Sequence, residues 1–324
     1  MIISQTPLRI SLLGGNTDFR EFYTKHGGGV LTMAIDKYIY CIVQKRFDNK
    51  IYINYSQKEI VNNVNEIQHD LVRECLKKIG IKEGIEISYL ADIPSEGSGL
   101  GSSSTFTVGT LHALYQYTGY NPSAEQLAQE AIEIEIDILK NPIGVQDQYI
   151  AAYGGFKFLE FNKDGSINPL KIMISEEHLE DIDNSFMLFF TGQVRKTGNI
   201  LQNLQKSIED KTKQLLKNYE LAKHGKLAVE KHDLNKLGLL LNEYWEIKKT
   251  LSSNISNNEI DDMYIKAKQA GAVGGKISGA GGGGFMLLLV PGSKRINVRN
   301  TLKKYREMPF RICNSGSKIL LNTN

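Results

Sequence analysis

Pro94-Ser95-Glu96-Gly97-Ser98-Gly99-Leu100-Gly101-Ser102-Ser103-Ser104 is the stretch that decides the fold. Before it, Ile85, Ile87 and Tyr89 alternate as a short strand does. After it, Phe106, Leu111, Leu114 and Tyr115 mark a helix that stops near Gly119. Three glycines at alternate positions let the backbone bend and approach a ligand closely, because they carry no Cβ. The serines that follow are placed to cap a helix whose first N–H groups lack internal partners. A glycine loop that feeds a helix N-terminus is an anion site, through its donors and its dipole together. A Gly/Ser run of this kind also fits a flexible loop with ordinary serine capping, so the flanking elements and the other motifs have to decide.

Working outward, residues 38–43 and 51–55 are β-branched and aromatic and predict strands, with the polar 46–50 as a turn. Residues 67–79 predict a helix ending before Gly80. Leu127, Ala131, Ile134 and Ile138 fall on one helical face, and Asn141-Pro142 must break that helix. A hairpin is expected at Asn162-Lys163-Asp164-Gly165 and a strand at 186–190. One long helix is led by Ile200, Leu201, Leu204 and Ile208, another by Leu234, Leu237, Leu241 and Trp245. A third spans 260–270, ahead of a strand at 285–290. Strands mixed with helices without regular alternation argue an α+β fold. At 324 residues, two domains are expected.

A second glycine run, Gly274-Gly275-Lys276-Ile277-Ser278-Gly279-Ala280-Gly281-Gly282-Gly283-Gly284, contains G-x-G-x-x-G. A dinucleotide fold needs strand, glycines, then helix; here the order reads helix, glycines, strand, which excludes it. No G-x-x-x-x-G-K-[ST] loop and no protein-kinase H-R-D or D-F-G occurs. The N-terminal Pro7-Leu8-Arg9-Ile10-Ser11-Leu12-Leu13-Gly14-Gly15-Asn16-Thr17-Asp18-Phe19, taken alone, is a strand and a turn with Asp18 as a turn or capping residue. Glu135 lies beside an apolar helix face, where it can turn inward or stay solvated with Glu130, Glu133 and Asp137. Asp147 follows a Pro/Gly bend and could be an ordinary cap.

Composition narrows the class. With 39 Lys+Arg against 36 Asp+Glu the net charge is +3, and the basic residues are spread rather than gathered, which argues against a nucleic-acid partner. Cys41, Cys75 and Cys313 form no C-x-x-C pair, and the six histidines form no metal-spaced pair. No signal peptide and no run of about 20 apolar residues is read, so no membrane partner is expected and the cytoplasm is the expected compartment.

Taken together, these segments resemble the GHMP kinase superfamily, whose three signatures occur here in order. Residues 94–104 match the P-x-x-x-G-L-G-S-S-[SA] nucleotide loop, 277–285 the C-terminal glycine motif and 8–19 the N-terminal motif. The resemblance spans nearly the whole chain. It implies a two-domain fold, with an N-terminal ribosomal protein S5 domain 2-like domain (1–174) and a C-terminal ferredoxin-like α/β domain (175–324). It also implies ATP and Mg2+ as cofactors, with Gly97, Gly99, Leu100, Gly101, Ser102, Ser103 and Ser104 at the nucleotide. Asp147, in G-V-Q-D-Q, takes the place of the catalytic aspartate. Glu135, twelve residues earlier (147 − 135), takes that of the acidic magnesium ligand, with Ser103 as its hydroxyl partner. Arg9 would pair with Asp147 and the incoming phosphoryl group, keeping the aspartate ionised.

Asp18, with Gly15, Asn16 and Thr17, would meet the sugar, together with Gly281 and Gly282. The turn departs from the galactokinase Gly-Glu-His/Asn-Thr-Asp pattern by lacking the glutamate, which argues against galactose. Within the superfamily, residues 7–19, Gly28-Gly29-Val30-Leu31 and the second glycine run are most similar to D-glycero-D-manno-heptose 7-phosphate kinases. That similarity implies a small sugar-phosphate substrate phosphorylated at C1, toward nucleotide-activated heptose for surface polysaccharide. Its existing phosphate needs cations: Arg195 and Lys196 are the first candidates, then Arg20, Lys25 and His26. Another sugar (L-fucose or a hexose), a non-catalytic sugar/ATP-binding member and an isoprenoid kinase stand as alternatives, and a homodimer is left open.

Overall fold

A computed structural model describes residues 1–94, 97–193, 202, 205 and 207–323. Its spine is a long hairpin: β1 (Ile2–Leu13) runs antiparallel to β2 (Gly28–Lys45), joined through a turn and α1 (Arg20–His26). Strand β2 is long enough to serve two neighbours. Its second half pairs with β5 (Ile85–Ala91) and its first half with β6 (Phe156–Phe161), which continues to β7 (Ile167–Lys171). β3 (Ile51–Asn54) lies parallel to β5, across the connection carrying α2 (Asp70–Ile79), and pairs with β4 (Lys58–Val61). The β1–β2 register shifts at Pro7/Leu8 and between Ser11 and Leu13. Bulges of this kind re-aim side chains, and here they fall on the strand carrying Arg9 and Ser11.

Helices α3 (Ser102–Tyr117), α4 (Ala124–Ile132) and α5 (Gln146–Tyr153) pack together, and α3 lies across β1 and β2. Val108, Leu111 and Leu114 of α3 are fully buried there. The face predicted from Leu127, Ala131, Ile134 and Ile138 holds only as far as Ile134. Residues Glu133–Ile138 form a π-helical turn that rephases the chain, leaving Ile138 46% exposed while Glu135 is fully buried. A wider turn carries more residues per revolution, so the spacing of four no longer returns to the same face.

The second sheet contains β8 (Phe186–Phe190), β9 (Gly274–Ile277), β10 (Phe285–Leu289) and β11 (Arg306–Glu307) in the antiparallel order β11-β8-β10-β9. Counted within this part of the chain the order is 4-1-3-2, the ferredoxin-like arrangement. With it go α6 (Glu176–Ser185), α8 (Leu234–Leu251), α9 (Asn258–Gln269) and α10 (Arg295–Thr301), while α7 (Thr212–Glu230) packs on α8 and on β1 and β2 of the first sheet. Of the residues expected to lead a helix before α7, Ile200, Leu201 and Leu204 lie outside the described residues, and Ile208 is buried in the turn ahead of α7. The glycine run is not wholly loop: Gly274–Ile277 is a strand, held by its pairing with β10.

The two sheets share one apolar seam. Leu8, Ile10 and Leu12 of β1 pack with Leu237, Leu241 and Tyr244 of α8 and Phe285 and Leu287 of β10, all buried. The boundary expected at 174/175 falls between β7 and α6. The last strand, β12 (Lys318–Asn322), returns to the first sheet and pairs antiparallel with β1.

Candidate active site

The cleft between the sheets is lined by residues from five segments: the end of β1, the turn after it, the start of α5, the last turns of α8 and the second glycine run. At its centre Arg9 grips Asp147 with two parallel bonds, Nε to Oδ1 at 2.6 Å and Nη2 to Oδ2 at 2.5 Å. Such a bidentate fork fixes the carboxylate plane as well as its position. The remaining arm, Nη1, donates to the Gly99 carbonyl at 2.6 Å, and the Arg9 backbone N–H donates to Leu100 O at 3.0 Å. Arg9 therefore ties the candidate base directly to the nucleotide loop.

The serines of that loop do not cap α3. Gly101 occupies the cap position in the left-handed region (φ 79°) with no side-chain cap bond, and Ser102, Ser103 and Ser104 form the first turn of the helix. Glycine reaches that conformation without a Cβ clash, and no side chain then covers the first-turn N–H groups, the arrangement that suits an anion. Ser102 Oγ instead bonds Ser98 Oγ at 3.1 Å. The loop is locked against the second glycine run: a Cβ on Gly99 would lie 2.5 Å from Ser278 O, and one on Gly279 would lie 2.6 Å from Gly99 Cα.

Glu135 sits beneath this turn. Its Oε1 accepts from Ser103 Oγ at 2.5 Å and its Oε2 from Gln148 Nε2 at 2.7 Å. Burial pushes its carboxyl up to about 7, against the pull of bonds from Ser103, Ser104 and Gln148. No Lys or Arg pairs with it among the described residues. A buried carboxylate without a cation is costly, so the site suits a divalent ion that completes its shell with waters and nucleotide phosphates. No cluster of three or more His, Cys, Asp or Glu side chains placed for a metal occurs among the described residues.

The opposite wall carries Asp18, buried, whose Oδ2 accepts from Gln146 Nε2 at 2.9 Å. Its carboxyl is pushed up to about 6, first by burial and then by the nearby Asp147 charge. Gly15 and Asn16 also line the cleft, with Asn16 in the left-handed region at φ 72°. Thr17 does not line it: its hydroxyl is committed to the backbone of Gly14 at 2.8 Å and Gly29 at 3.2 Å. Gly281 and Gly282 are packed on Ile255, while Gly279 and Ala280 face the cleft in their stead. Arg195 and Lys196 lie outside the described residues. Of the other cations considered, Arg20 pairs with Asp137 (2.6 Å), Lys25 pairs with Glu209 (2.8 Å), and His26 packs on the Phe22 ring. None of the three lines the cleft.

Among the residues that the sequence reading did not assign, five with polar side chains also line it: Ser11, Gln146, Tyr244, Lys248 and Lys276. Ser11 Oγ and Gln146 Oε1 are buried without a hydrogen-bond partner, as acceptors kept for a ligand hydroxyl would be. Lys248 could have been found, since it lies seven residues after Leu241, three after Trp245 and three before Leu251, on the apolar face of α8.

A phosphate-ready loop, a fixed aspartate beside it and a polar pocket facing that aspartate define a small-molecule kinase. Comparison with known proteins agrees. GHMP kinases N terminal domain matches residues 62–155, and GHMP kinases C terminal matches 226–307. A D-glycero-alpha-D-manno-heptose 7-phosphate kinase of Campylobacter jejuni is 34% identical over 323 residues, covering 94% of this chain and 93% of its own. The crystal structure of a D-glycero-D-manno-heptose 1-phosphate kinase from Bacteroides thetaiotaomicron superposes with TM-score 0.83 at 26% identity, covering 100% of both chains. Galactokinase of Lactococcus lactis, complexed with galactose, shares the fold with TM-score 0.77 at 20% identity over 98% of this chain and 94% of that one. The chain belongs to the GHMP kinase family and is an ATP-dependent kinase.

Proposed function

We propose that the protein phosphorylates the anomeric C1 hydroxyl of D-glycero-D-manno-heptose 7-phosphate, giving the 1,7-bisphosphate for nucleotide-activated heptose. The observation that carries the chemistry is Asp147, held by Arg9 between the nucleotide loop and the polar pocket of Asp18 and Gln146. The choice of heptose follows the names of the two relatives, which differ in the phosphate position they give.

In the reaction, the sugar hydroxyl oxygen attacks the γ-phosphorus, the bond to the β–γ bridging oxygen breaks, and ADP leaves with that electron pair. Asp147 accepts the hydroxyl proton as the new bond forms. Both its oxygens already accept from Arg9, but a carboxylate has further lone pairs for the incoming O–H. Arg9 also holds Gly99, so loop and base move together and the reacting atoms keep their line. Asp18, Gln146 and Ser11 would bind sugar hydroxyls, with Asn16 and Gly15 shaping the turn. Ser103 and Glu135 would hold Mg2+, which neutralises phosphate oxygens when bound. We further read residues 1–174 and 175–324 as the two domains, with β12 lent back to the first. The free Cys41, Cys75 and Cys313 support a reducing compartment such as the cytoplasm.

The test is Mg2+-dependent ADP release with D-glycero-D-manno-heptose 7-phosphate, the unphosphorylated heptose, mannose 6-phosphate, galactose and L-fucose. Turnover confined to the heptose 7-phosphate, with new phosphate at C1, is expected. Turnover on an unphosphorylated sugar alone would keep the mechanism and discard the substrate. ATP binding with no turnover on any sugar would favour a binding protein.

A further inference from the structure

The mechanism leaves two buried ammonium groups in the cleft unused. Lys276 is 1% exposed and Lys248 is 2% exposed, and both line the cavity. Lys276 Nζ donates to the carbonyls of Ser11 (2.5 Å) and Leu12 (3.3 Å); Lys248 Nζ donates to those of Ile277 (3.1 Å) and Gly279 (2.5 Å). An ammonium has three donors, so each keeps one beyond its two carbonyls. Neither pairs with a carboxylate among the described residues. Between them and the turn lies Ser11, whose buried hydroxyl has no partner.

The charge count points the same way. With every group ionised, the cavity wall carries Arg9, Lys248 and Lys276 against Asp18 and Asp147, an excess of one positive charge (3 − 2), and Arg9 is already paired with Asp147. Groups facing the two lysines are Arg9 from β1 and the Tyr244 ring, 4.9 Å from Lys276 Nζ, with Asp18 and Asp147 lining the same cavity. Burial and then Arg9 draw Lys248 down to about 7; burial, then Lys248 and Arg9, draw Lys276 well below the usual lysine range. An apolar side chain would fill either position without that desolvation. Two carbonyl bonds alone are poor compensation for burying each charge, whereas a dianion between the two ammoniums would compensate both.

We infer that Lys248, Lys276 and the Ser11 hydroxyl form the floor of a binding site for a phosphate dianion. Two phosphates could fill it: the one the sugar already carries, or the γ-phosphoryl group in transfer. The naming of these two sources rests on the function proposed above; the site itself can be tested without turnover.

The experiment is calorimetric titration of the full chain, saturated with Mg·ADP so that the nucleotide loop is filled, with inorganic phosphate and with sulfate. It is run at pH 8 in two buffers of different ionisation enthalpy. Wild-type protein is expected to bind both anions with net proton uptake, because the anion restores the ammonium form of the lysines and sulfate does not itself titrate there. Lys248→Met and Lys276→Met should each weaken binding about tenfold or more, which is about 1.4 kcal/mol, and Lys248→Arg should recover most of the loss. Repeating the titration with a non-hydrolysable Mg·ATP analogue separates the sources. Binding that survives assigns the floor to the sugar phosphate; binding abolished by the analogue assigns it to the γ-phosphoryl group. Absence of anion binding in wild-type protein, or binding without proton uptake that neither substitution weakens, would overturn the inference. The wild-type measurement decides even where a variant fails to fold. Anion binding alongside no turnover on any sugar phosphate would sink the proposed substrate and leave the floor standing.

Discussion

Replacing Asp18 with asparagine should stabilise the folded protein in neutral solution while impairing the reaction. An aspartate in the unfolded chain has its ordinary value of 3.8, whereas burial pushes the Asp18 carboxyl up to about 6. Between those values the folded state holds a proton that the unfolded chain has released, so the stability contributed by Asp18 falls as pH rises through the window. A shift of about two units corresponds to about 3 kcal/mol, present in full below about pH 3 and lost by about pH 7. Asparagine keeps an oxygen for the bonds from Gln146 and has no proton to lose, so the variant escapes that decline. The assay is urea unfolding of both proteins at half-unit steps from pH 4 to 8, followed by two probes, with the difference in free energy plotted against pH. Any change in packing adds a constant offset, and titration of groups that do not interact with Asp18 cancels between the two proteins, while the Asp147 charge is part of the shift being measured. The difference should rise by about 2.5 kcal/mol in favour of the variant from pH 4 to 7 and then level off. A difference flat across the range would refute the buried-carboxylate account of Asp18. In parallel, kcat/KM of the variant should fall, since the group is placed in the cleft for the substrate.

Other outcomes can be checked on the same preparations. Asp147→Asn should lose about 10²–10⁴-fold in turnover while binding ATP normally, and near-wild-type turnover would remove it from the role of base. Glu135→Gln should raise the Mg2+ concentration at half-maximal rate by about 10–100-fold; an unchanged Mg2+ dependence would place the metal elsewhere. Gly99→Ala forces the loop off Ser278 and should raise the KM for ATP strongly, with rate losses of up to about 10²-fold from misplaced phosphates. Arg20→Ala and Lys25→Ala remove cations already paired with carboxylates at the surface and should leave the KM for a sugar phosphate within about twofold, as exposed pairs contribute little.

The fold was legible where local pattern and local structure coincide. The strand at 186–190 matches β8, the Asn162–Gly165 turn sits between β6 and β7, and α2 ends before Gly80 as read, with Gly80 in the left-handed conformation. Legibility failed where long-range geometry overrides pattern. Nothing local marks the π turn that buries Glu135 and exposes Ile138, nor the return of β12 to β1 across the length of the chain. The same holds at the site. Arg9, Asp147, Ser103 and Glu135 could be named because three motifs occur in order, and the structure brings each of the two pairs into contact. Thr17, Gly281 and Gly282 belong to the same motifs yet support the backbone outside the cleft, since a motif records which residues recur and not which way they face. A lone lysine on a helix or strand ordinarily reads as surface; Lys248 carries one sign to the contrary in its place on the apolar face of α8, whereas only burial separates Lys276 from the rest.

Gly99 and Gly279 meet backbone to backbone, so two loops 180 residues apart in the chain (279 − 99) are mated surfaces of one part. This bears on recombining the enzyme with its relatives. A chimera that takes its first sheet from one parent and its second from another joins loops shaped against different counterparts, and a discrepancy of a few tenths of an ångström there has no side chain to absorb it. Such hybrids should fold yet turn over poorly. Exchanging residues 94–104 and 274–284 as a matched set should restore them, which makes the pair, rather than either lobe, the natural unit of exchange.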